Sequence, residues 1–244
     1  MREGIIAPRG DLELKVIRGN GSRKVELAPA PLPKGAFGGL SVREIVLKGF
    51  PVKGLTPEVW EWRKKNLPNL YRGMKKVMLA RFFKIPTFYG QVDLRVILAN
   101  GEEIDLGLAS LRVVTTVAVN AIVDAFDAAV GFTLNTFNYH AIGTGAVAEA
   151  VGDTALGTEL TTEYTGNVRA TGTQTQPSAN IYRTTGTNTL DSGTPAVTEH
   201  GILTQAATGG GSLLDRSVFA AVNLVGASGD GLQSQYSLTL TSGS

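Results

Sequence analysis

The chain has 244 residues, of which 43% are hydrophobic and 18% charged, and it contains no cysteine. This composition is typical of a folded protein and excludes an intrinsically disordered chain, a disulfide framework and any site built on thiolates. The net charge of +2 conceals two opposite halves, because residues 1–130 carry 20 Lys and Arg against 13 Asp and Glu, whereas residues 131–244 carry 3 against 8. The two compositions predict two regions with different surroundings.

The first 55 residues predict a hairpin and then an extended arm. Residues 11–18 and 24–27 alternate apolar and charged side chains around the turn sequence Gly-Asn-Gly-Ser, so residues 1–28 are predicted to be a β-hairpin. Residues 29–55 begin with a proline- and glycine-rich stretch and are predicted to be an extended arm. Pro8, Arg9 and Asp11 argue against a signal peptide, and no apolar run in the chain approaches the length of a membrane span.

Residues 56–130 are predicted to be a basic α+β attachment region. Thr56 and Pro57 are typical of a helix start, and Pro68 predicts that this helix ends near Asn66. The Asn-Gly pair at 100–101 predicts a hairpin between strands at 91–98 and 103–114. A second helix is expected over residues 116–129, with Thr116 as its N-cap.

Residues 131–244 are predicted to be a Thr/Gly-rich, all-β domain of the sandwich or jelly-roll type. The segment contains 21 threonines, whose branched side chains suit a pleated surface. Short apolar-threonine segments separated by glycine indicate seven strands. These are residues 137–142, 155–164, 168–174, 180–185, 197–205, 212–224 and 232–241.

A basic, aromatic segment is the strongest candidate for a binding function. Residues 43–84 carry 11 Lys and Arg against 3 Asp and Glu. This pattern fits a contact with an acidic protein, a contact with nucleic acid, or the solvated face of a small α+β subdomain. Two residues at positions i and i+2 cannot share one helical face, so we expect at most one of the two tryptophans to contact a partner. The candidate contact residues are Trp60, Trp62, Arg63, Lys64, Lys65, Arg72, Lys75 and Lys76.

The sequence contains no recognisable catalytic or metal-binding motif. The two histidines, His140 and His200, could pair with Asp153, Glu199 or Asp215, but the short ligand spacing of a metal motif does not occur. A nucleophile elbow, a phosphate loop and a calcium loop are also absent from the sequence. We therefore expect a protein without enzymatic activity, cofactor or metal.

A family resemblance lies in residues 113–116, 119–126, 139–145, 148–156, 158–160, 196–202, 213–219, 231–233 and 236–240. Through these residues the second half of the chain resembles a domain found in virion proteins of tailed phages, of the head-decoration or tail-fibre-like kind. The resemblance covers about residues 111–243 and implies no catalytic residues.

The resemblance implies a structural component of a phage particle, made in the bacterial host cytoplasm and located in the virion. We expect a capsid decoration or cement protein that binds the major capsid protein through its basic N-terminal region, with the β domain outward, as a homo-oligomer that we take to be a trimer. A neck or tail-fibre component that contacts a receptor, or binds other virion proteins, is the alternative. A nucleic-acid-binding virion protein is the second alternative, and no membrane partner is expected.

Overall fold

The computed structural model describes residues 13–19, 22–28, 56–83, 87–127, 129–130 and 132–241. Near the N-terminus, β1 (Glu13–Gly19) and β2 (Ser22–Ala28) pair as an antiparallel hairpin, as the alternating pattern predicts. The predicted arm at 29–55 lies outside the described residues.

Two α-helices and two antiparallel sheets form most of the rest of the described chain. The helices are α1 (Pro57–Phe82) and α2 (Thr116–Asp124). The further strands are β3 (Thr87–Ile97), β4 (Glu103–Val113), β5 (Tyr139–Gly143), β6 (Ala170–Thr171), β7 (Thr173–Ser178), β8 (Ile181–Thr189), β9 (Ala196–Leu203), β10 (Leu213–Asn223) and β11 (Gly231–Thr241). A four-stranded sheet has the order β10-β9-β5-β6, and a five-stranded sheet has the order β4-β3-β11-β8-β7.

The two sheets share one apolar core. Val92 and Leu232 of the five-stranded sheet belong to the same buried cluster as Ile142, Ile202 and Phe219 of the four-stranded sheet. The mostly β character predicted for the second half is confirmed, and the packing is sandwich-like. The jelly-roll connectivity stays a prediction.

The five-stranded sheet extends across the predicted division at residue 130. β11 pairs with β3 on one side and β8 on the other, so that Tyr236 lies opposite both Val92 and Thr184. β3 and β4, which belong to the predicted attachment region, therefore form part of the same sheet as the C-terminal strands.

Helix α1 is longer than the proline signal predicts. It continues through Pro68 to Phe82 instead of ending near Asn66. Buried residues on both sides of the proline, from Val59 to Val77, line one side of the helix, and this side packs mainly on β4 and also on β10. Tertiary packing thus outweighs the loss of one backbone hydrogen bond at Pro68.

The predicted β3–β4 hairpin is confirmed, whereas α2 is shorter than predicted and ends at Asp124 instead of residue 129. The β3–β4 hairpin turns at Gly101, whose φ of 84° is the left-handed conformation that glycine tolerates. In α2 the N-cap is Thr115, not Thr116, and its side chain accepts a hydrogen bond from Ala118 N.

The strand predicted at 155–164 is wrong. These residues belong to a loop whose first part lies on the outer face of the four-stranded sheet, where Leu156 packs against Ala141, Leu203 and Leu213. Leu160 and Tyr164 in its second part belong to the core between the two sheets. The loop pairs with β5 only through an isolated bridge at Glu159. Its apolar side chains are buried against the rest of the fold. They stand at even intervals in the sequence, which is also the spacing of side chains on one face of a strand.

Candidate interaction site on the basic helix

Helix α1 closes the side of the molecule where the edge strands β4 and β10 meet. The Asn66 side chain lies between the two strands: its Nδ2 donates to Ala109 O at 2.7 Å, and its Oδ1 accepts from Ala220 N at 2.9 Å. A side-chain amide can satisfy one acceptor and one donor in this way, and open strand edges otherwise expose such groups. Asn66 therefore joins the helix to both sheets.

The helix backbone approaches β4 closely at Gly73. A Cβ atom at this position would overlap Leu111 O, so only glycine allows the contact. Further along β4, Arg112 Nη1 donates to the Asn69 carbonyl at 2.8 Å. The helix is consequently an integral part of the fold.

Trp62 and Arg63 lie on the inner side of α1 and are not available to a partner. Trp62 is 8% exposed and its Nε1 donates to Ala220 O at 2.8 Å. Arg63 is buried as well, and its Nε donates to Leu106 O at 3.0 Å. Burial lowers the pKa of Arg63, while Asp105 opposes the shift. Of the two tryptophans, Trp62 is the core residue and Trp60 is half-buried at the surface.

The other six predicted contact residues share the outer side of α1. Trp60, Lys64, Lys65, Arg72, Lys75 and Lys76 lie there together with Tyr71, Leu79, Phe82 and Phe83, and we refer to these ten residues as the outer α1 surface. Lys64 pairs with Glu61 and lies 5.3 Å from the centre of the Trp60 ring. The outer α1 surface thus combines cations with large exposed apolar groups.

Three of these cations have no ion-pair partner within the described part of the chain. They are Lys65, Lys75 and Lys76, whereas Arg72 lies 3.7 Å from Glu149, which also pairs with the buried Arg112. The four aromatic or aliphatic residues of the C-terminal half, Tyr71, Leu79, Phe82 and Phe83, are exposed, and Tyr71 reaches 64%. The basic and aromatic character predicted for residues 43–84 is thus present on this surface, and Leu79 is the one exposed apolar residue that the sequence pattern did not indicate.

The two histidines meet inside the molecule, between the sheets. His140 Nδ1 and His200 Nε2 share a hydrogen bond at 3.1 Å, and His140 Nε2 lies 3.1 Å from Thr184 Oγ1. Both rings are fully buried. Burial lowers the pKa of His140 to about 3, and burial together with His140 lowers the pKa of His200 well below its usual value. Both histidines are therefore neutral near pH 7.

Asp215 and Tyr236 extend this buried polar cluster, but solvent does not reach it. Burial raises the pKa of Asp215 to about 6, although Ser217 Oγ donates to its Oδ1 at 2.9 Å. A Cβ atom at Gly90 would lie within 2.8 Å of both Tyr236 Oη and Asp215 Oδ2. These two oxygens have no hydrogen-bond partner among the described residues. The cluster is built like an internal polar layer and offers no open face to a substrate.

Asp153 and Glu199, the other acids considered as histidine partners, lie with Arg216 instead. Glu199 Oε1 accepts from Gly145 N at 2.9 Å and Thr158 N at 2.7 Å, and its Oε2 accepts from Gly157 N at 2.9 Å and Arg216 Nε at 2.7 Å. Arg216 Nη1 also contacts Asp153 Oδ2 at 3.0 Å. This buried centre holds the loop over the four-stranded sheet, and nothing in the sequence marked it.

Two negative findings apply to the residues that the structure describes. They contain no cluster of three or more His, Asp or Glu side chains arranged to hold a metal ion. Neither helix in this part of the chain has the length and apolar content needed to cross a membrane.

Comparison with known proteins adds no relative. No family model, no curated protein and no solved structure matches the chain.

Proposed function

We propose that this chain is a non-enzymatic structural component of a tailed-phage particle. In this proposal it acts as a capsid decoration or cement protein that binds the major capsid protein through the outer α1 surface, with the β domain outward. The proposal rests on the sequence resemblance of residues 111–243 and on the character of this surface.

The main support for the proposal is that the inner side of α1 packs in the fold while its outer side is exposed. Its inner side is committed to the fold through Trp62, Arg63 and Asn66. Its outer side presents Lys65, Lys75 and Lys76 without ion pairs among the described residues, next to exposed aromatic rings. Exposed aromatic residues are enriched at protein contact surfaces, where Trp, Tyr and Arg often dominate binding energy. The charge favours an acidic partner.

The rigid attachment of α1 to the two sheets also supports the proposal. The hydrogen bonds of Asn66 and the close approach at Gly73 hold α1 against both sheets. A protein that acts through many repeated contacts gains from a surface that needs no reordering when it binds. Residues 131–244 carry excess negative charge, which suits a domain that points away from an acidic shell.

The first test is the copy number of the protein in purified virions, measured by quantitative mass spectrometry against the major capsid protein. One copy per capsid subunit, or one per three subunits, supports shell decoration. A handful of copies per particle contradicts it and favours the alternative, a neck or tail-fibre component.

The second test addresses the surface directly. We expect the double variant Lys64→Glu/Lys65→Glu to lose co-sedimentation with heads that lack the protein. The matched control is Arg95→Glu/Arg183→Glu, which makes the same change in net charge on the five-stranded sheet and should bind normally. Equal loss in both variants would indicate a nonspecific charge effect and overturn the proposal.

The same pair of variants tests the nucleic-acid alternative. If the basic face binds DNA, the affinity of the wild type falls steeply with salt, and the Lys64→Glu/Lys65→Glu protein loses most of it. Salt-dependent DNA binding together with normal co-sedimentation of this variant would replace capsid binding by a nucleoprotein role.

A further inference from the structure

Helix α2 presents a second exposed apolar face. Val119 and Val123 lie on α2, and Phe126 lies in the turn directly after its C-cap, where its N–H donates to Val123 O at 3.0 Å. All three are exposed, with Phe126 at 88%. Side chains spaced by three and four positions form one stripe along a helix. A contiguous stripe of this kind on a protein surface is typical of a contact site.

The charged residues of α2 and of the turn that follows it are all acidic. Residues 113–168 contain six Asp and Glu and no Lys or Arg. Three of the six, Glu149, Asp153 and Glu159, form ion pairs with arginines, and Glu163 accepts backbone hydrogen bonds. Asp124 and Asp127 form no ion pair within the described residues. We refer to Val119, Val123, Asp124, Phe126 and Asp127 as the α2 surface.

The C-terminal half of the outer α1 surface has the opposite character. Residues 63–92 contain no acidic residue, and Lys75 and Lys76 lie beside Leu79, Phe82 and Phe83. The two surfaces are therefore complementary in two respects. Both carry exposed apolar side chains, and their charges have opposite signs.

The two surfaces do not cover each other within one molecule. The apolar residues of both remain exposed in the single chain, although α1 ends near the start of β3 and α2 begins three residues after β4. A second copy of the chain supplies the missing partner for each surface, with the correct charge and with apolar side chains to bury.

We propose that the α2 surface of one copy binds the C-terminal half of the outer α1 surface, around Lys75, Lys76 and Phe82, of a second copy. The contact is heterologous, and such contacts produce closed rings when the rotation between copies completes a full turn. The trimer expected from the sequence is one ring of this type. The inference rests on the proposed function and narrows it. Lys75, Lys76 and Phe82 contact a second copy, and Trp60, Lys64 and Lys65 form the part of the outer α1 surface that binds the shell.

The experiment is a charge exchange in the full chain, with the oligomeric state measured by sedimentation velocity over a range of concentrations. Both Lys75→Glu/Lys76→Glu and Asp124→Lys/Asp127→Lys place like charges opposite each other, so each should raise the dissociation constant of the oligomer by at least about tenfold. The protein with all four substitutions restores opposite charges and should assemble within about threefold of the wild type.

An apolar substitution provides an independent readout with a matched control. Val123→Ala removes two methyl groups from the α2 surface, whereas Val168→Ala removes them from an exposed site elsewhere in the chain. We expect the first to weaken assembly and the second to leave it unchanged. Circular dichroism of each variant verifies that the fold is intact.

Several outcomes overturn the inference. A wild type that stays monomeric at every soluble concentration contradicts it, and so does a fourfold variant that fails to restore assembly. If Asp124→Lys/Asp127→Lys instead abolishes binding to heads while the wild type is monomeric, the α2 surface contacts the shell and not a second copy. None of these results affects the co-sedimentation test with Lys64 and Lys65, so failure of this inference is distinguishable from failure of the proposed function.

Discussion

The charged residues of α1 and those of the β domain are used in opposite ways. Helix α1 is the richest source of cations, and Lys65, Lys75 and Lys76 stand at its surface without an ion pair in the described structure. The β domain has only three arginines after residue 130, yet Arg169 and Arg216 are buried and paired with Glu159, Glu199 and Asp153. The availability of a charge, more than its density in the sequence, therefore distinguishes a contact surface from a structural centre.

The largest expected effect comes from removing the buried carboxylate of Glu199. Glu199→Ala leaves three backbone N–H groups and Nε of Arg216 without their acceptor, and breaking a buried pair in this way costs about 3–5 kcal/mol of unfolding free energy. Urea denaturation measures the loss. The surface counterpart is Glu61→Ala, which removes the partner of Lys64 and should cost less than about 1 kcal/mol. Similar losses of unfolding free energy in the two variants would contradict the difference between the buried charges of the β domain and the exposed charges of α1.

Acid is expected to destabilise the protein through the buried histidines. Because the folded-state pKa of His140 is about 3, the unfolded chain binds a proton more readily below its ordinary pKa of about 6.5, and stability falls as the pH decreases. From pH 7 to pH 5 this group alone lowers the unfolding free energy by about 2 kcal/mol. His200 acts in the same direction.

Asp215 opposes the histidines in the same pH range. Its folded-state pKa of about 6 lies above the unfolded value, so its protonation returns about 1 kcal/mol of stability between pH 7 and pH 5. Urea denaturation at several pH values tests the balance. His140→Gln should reduce the pH dependence, and Asp215→Asn should make it steeper. A stability that is constant from pH 7 to pH 5 would contradict the buried, neutral state of the histidine pair.

A smaller effect is expected at Asn66. Asn66→Ala leaves Ala109 O and Ala220 N without their side-chain partners in a buried site, at a cost of about 2 kcal/mol. The control is Asn120→Ala on the exposed side of α2, which should change the unfolding free energy by less than about 0.5 kcal/mol. If Asn66→Ala changed the unfolding free energy as little as Asn120→Ala, the position of α1 would not depend on these two hydrogen bonds.

The smallest effect on stability is expected at the outer α1 surface. Lys64→Glu/Lys65→Glu should change the unfolding free energy by no more than about 0.5–1 kcal/mol, because both side chains are exposed. The melting temperature measures this change. A large fall would show that these lysines stabilise the fold, and loss of capsid binding could then no longer be assigned to the surface itself.

The secondary-structure elements that could be predicted from the sequence alone are those that follow from a short, local pattern of residues. The turn at Asn100-Gly101, the alternating strands on either side of it, and most of the C-terminal strands follow from patterns within a few residues. The separation of Trp60 from Trp62 also follows from helical spacing, which places the two side chains on different faces.

Features that depend on partners distant in the chain appear only in the folded structure. α1 continues past Pro68 because buried residues on both sides of the proline pack against the sheets. Residues 155–164 form a covering loop because Glu199, some 40 residues away, accepts hydrogen bonds from two of their backbone N–H groups. The pairing of β3 with β11 likewise joins segments more than 130 residues apart. Only the folded structure shows which cations form buried ion pairs and which are exposed without an ion pair among the described residues. The reason is that desolvation and pairing are properties of the packed molecule and not of the local sequence.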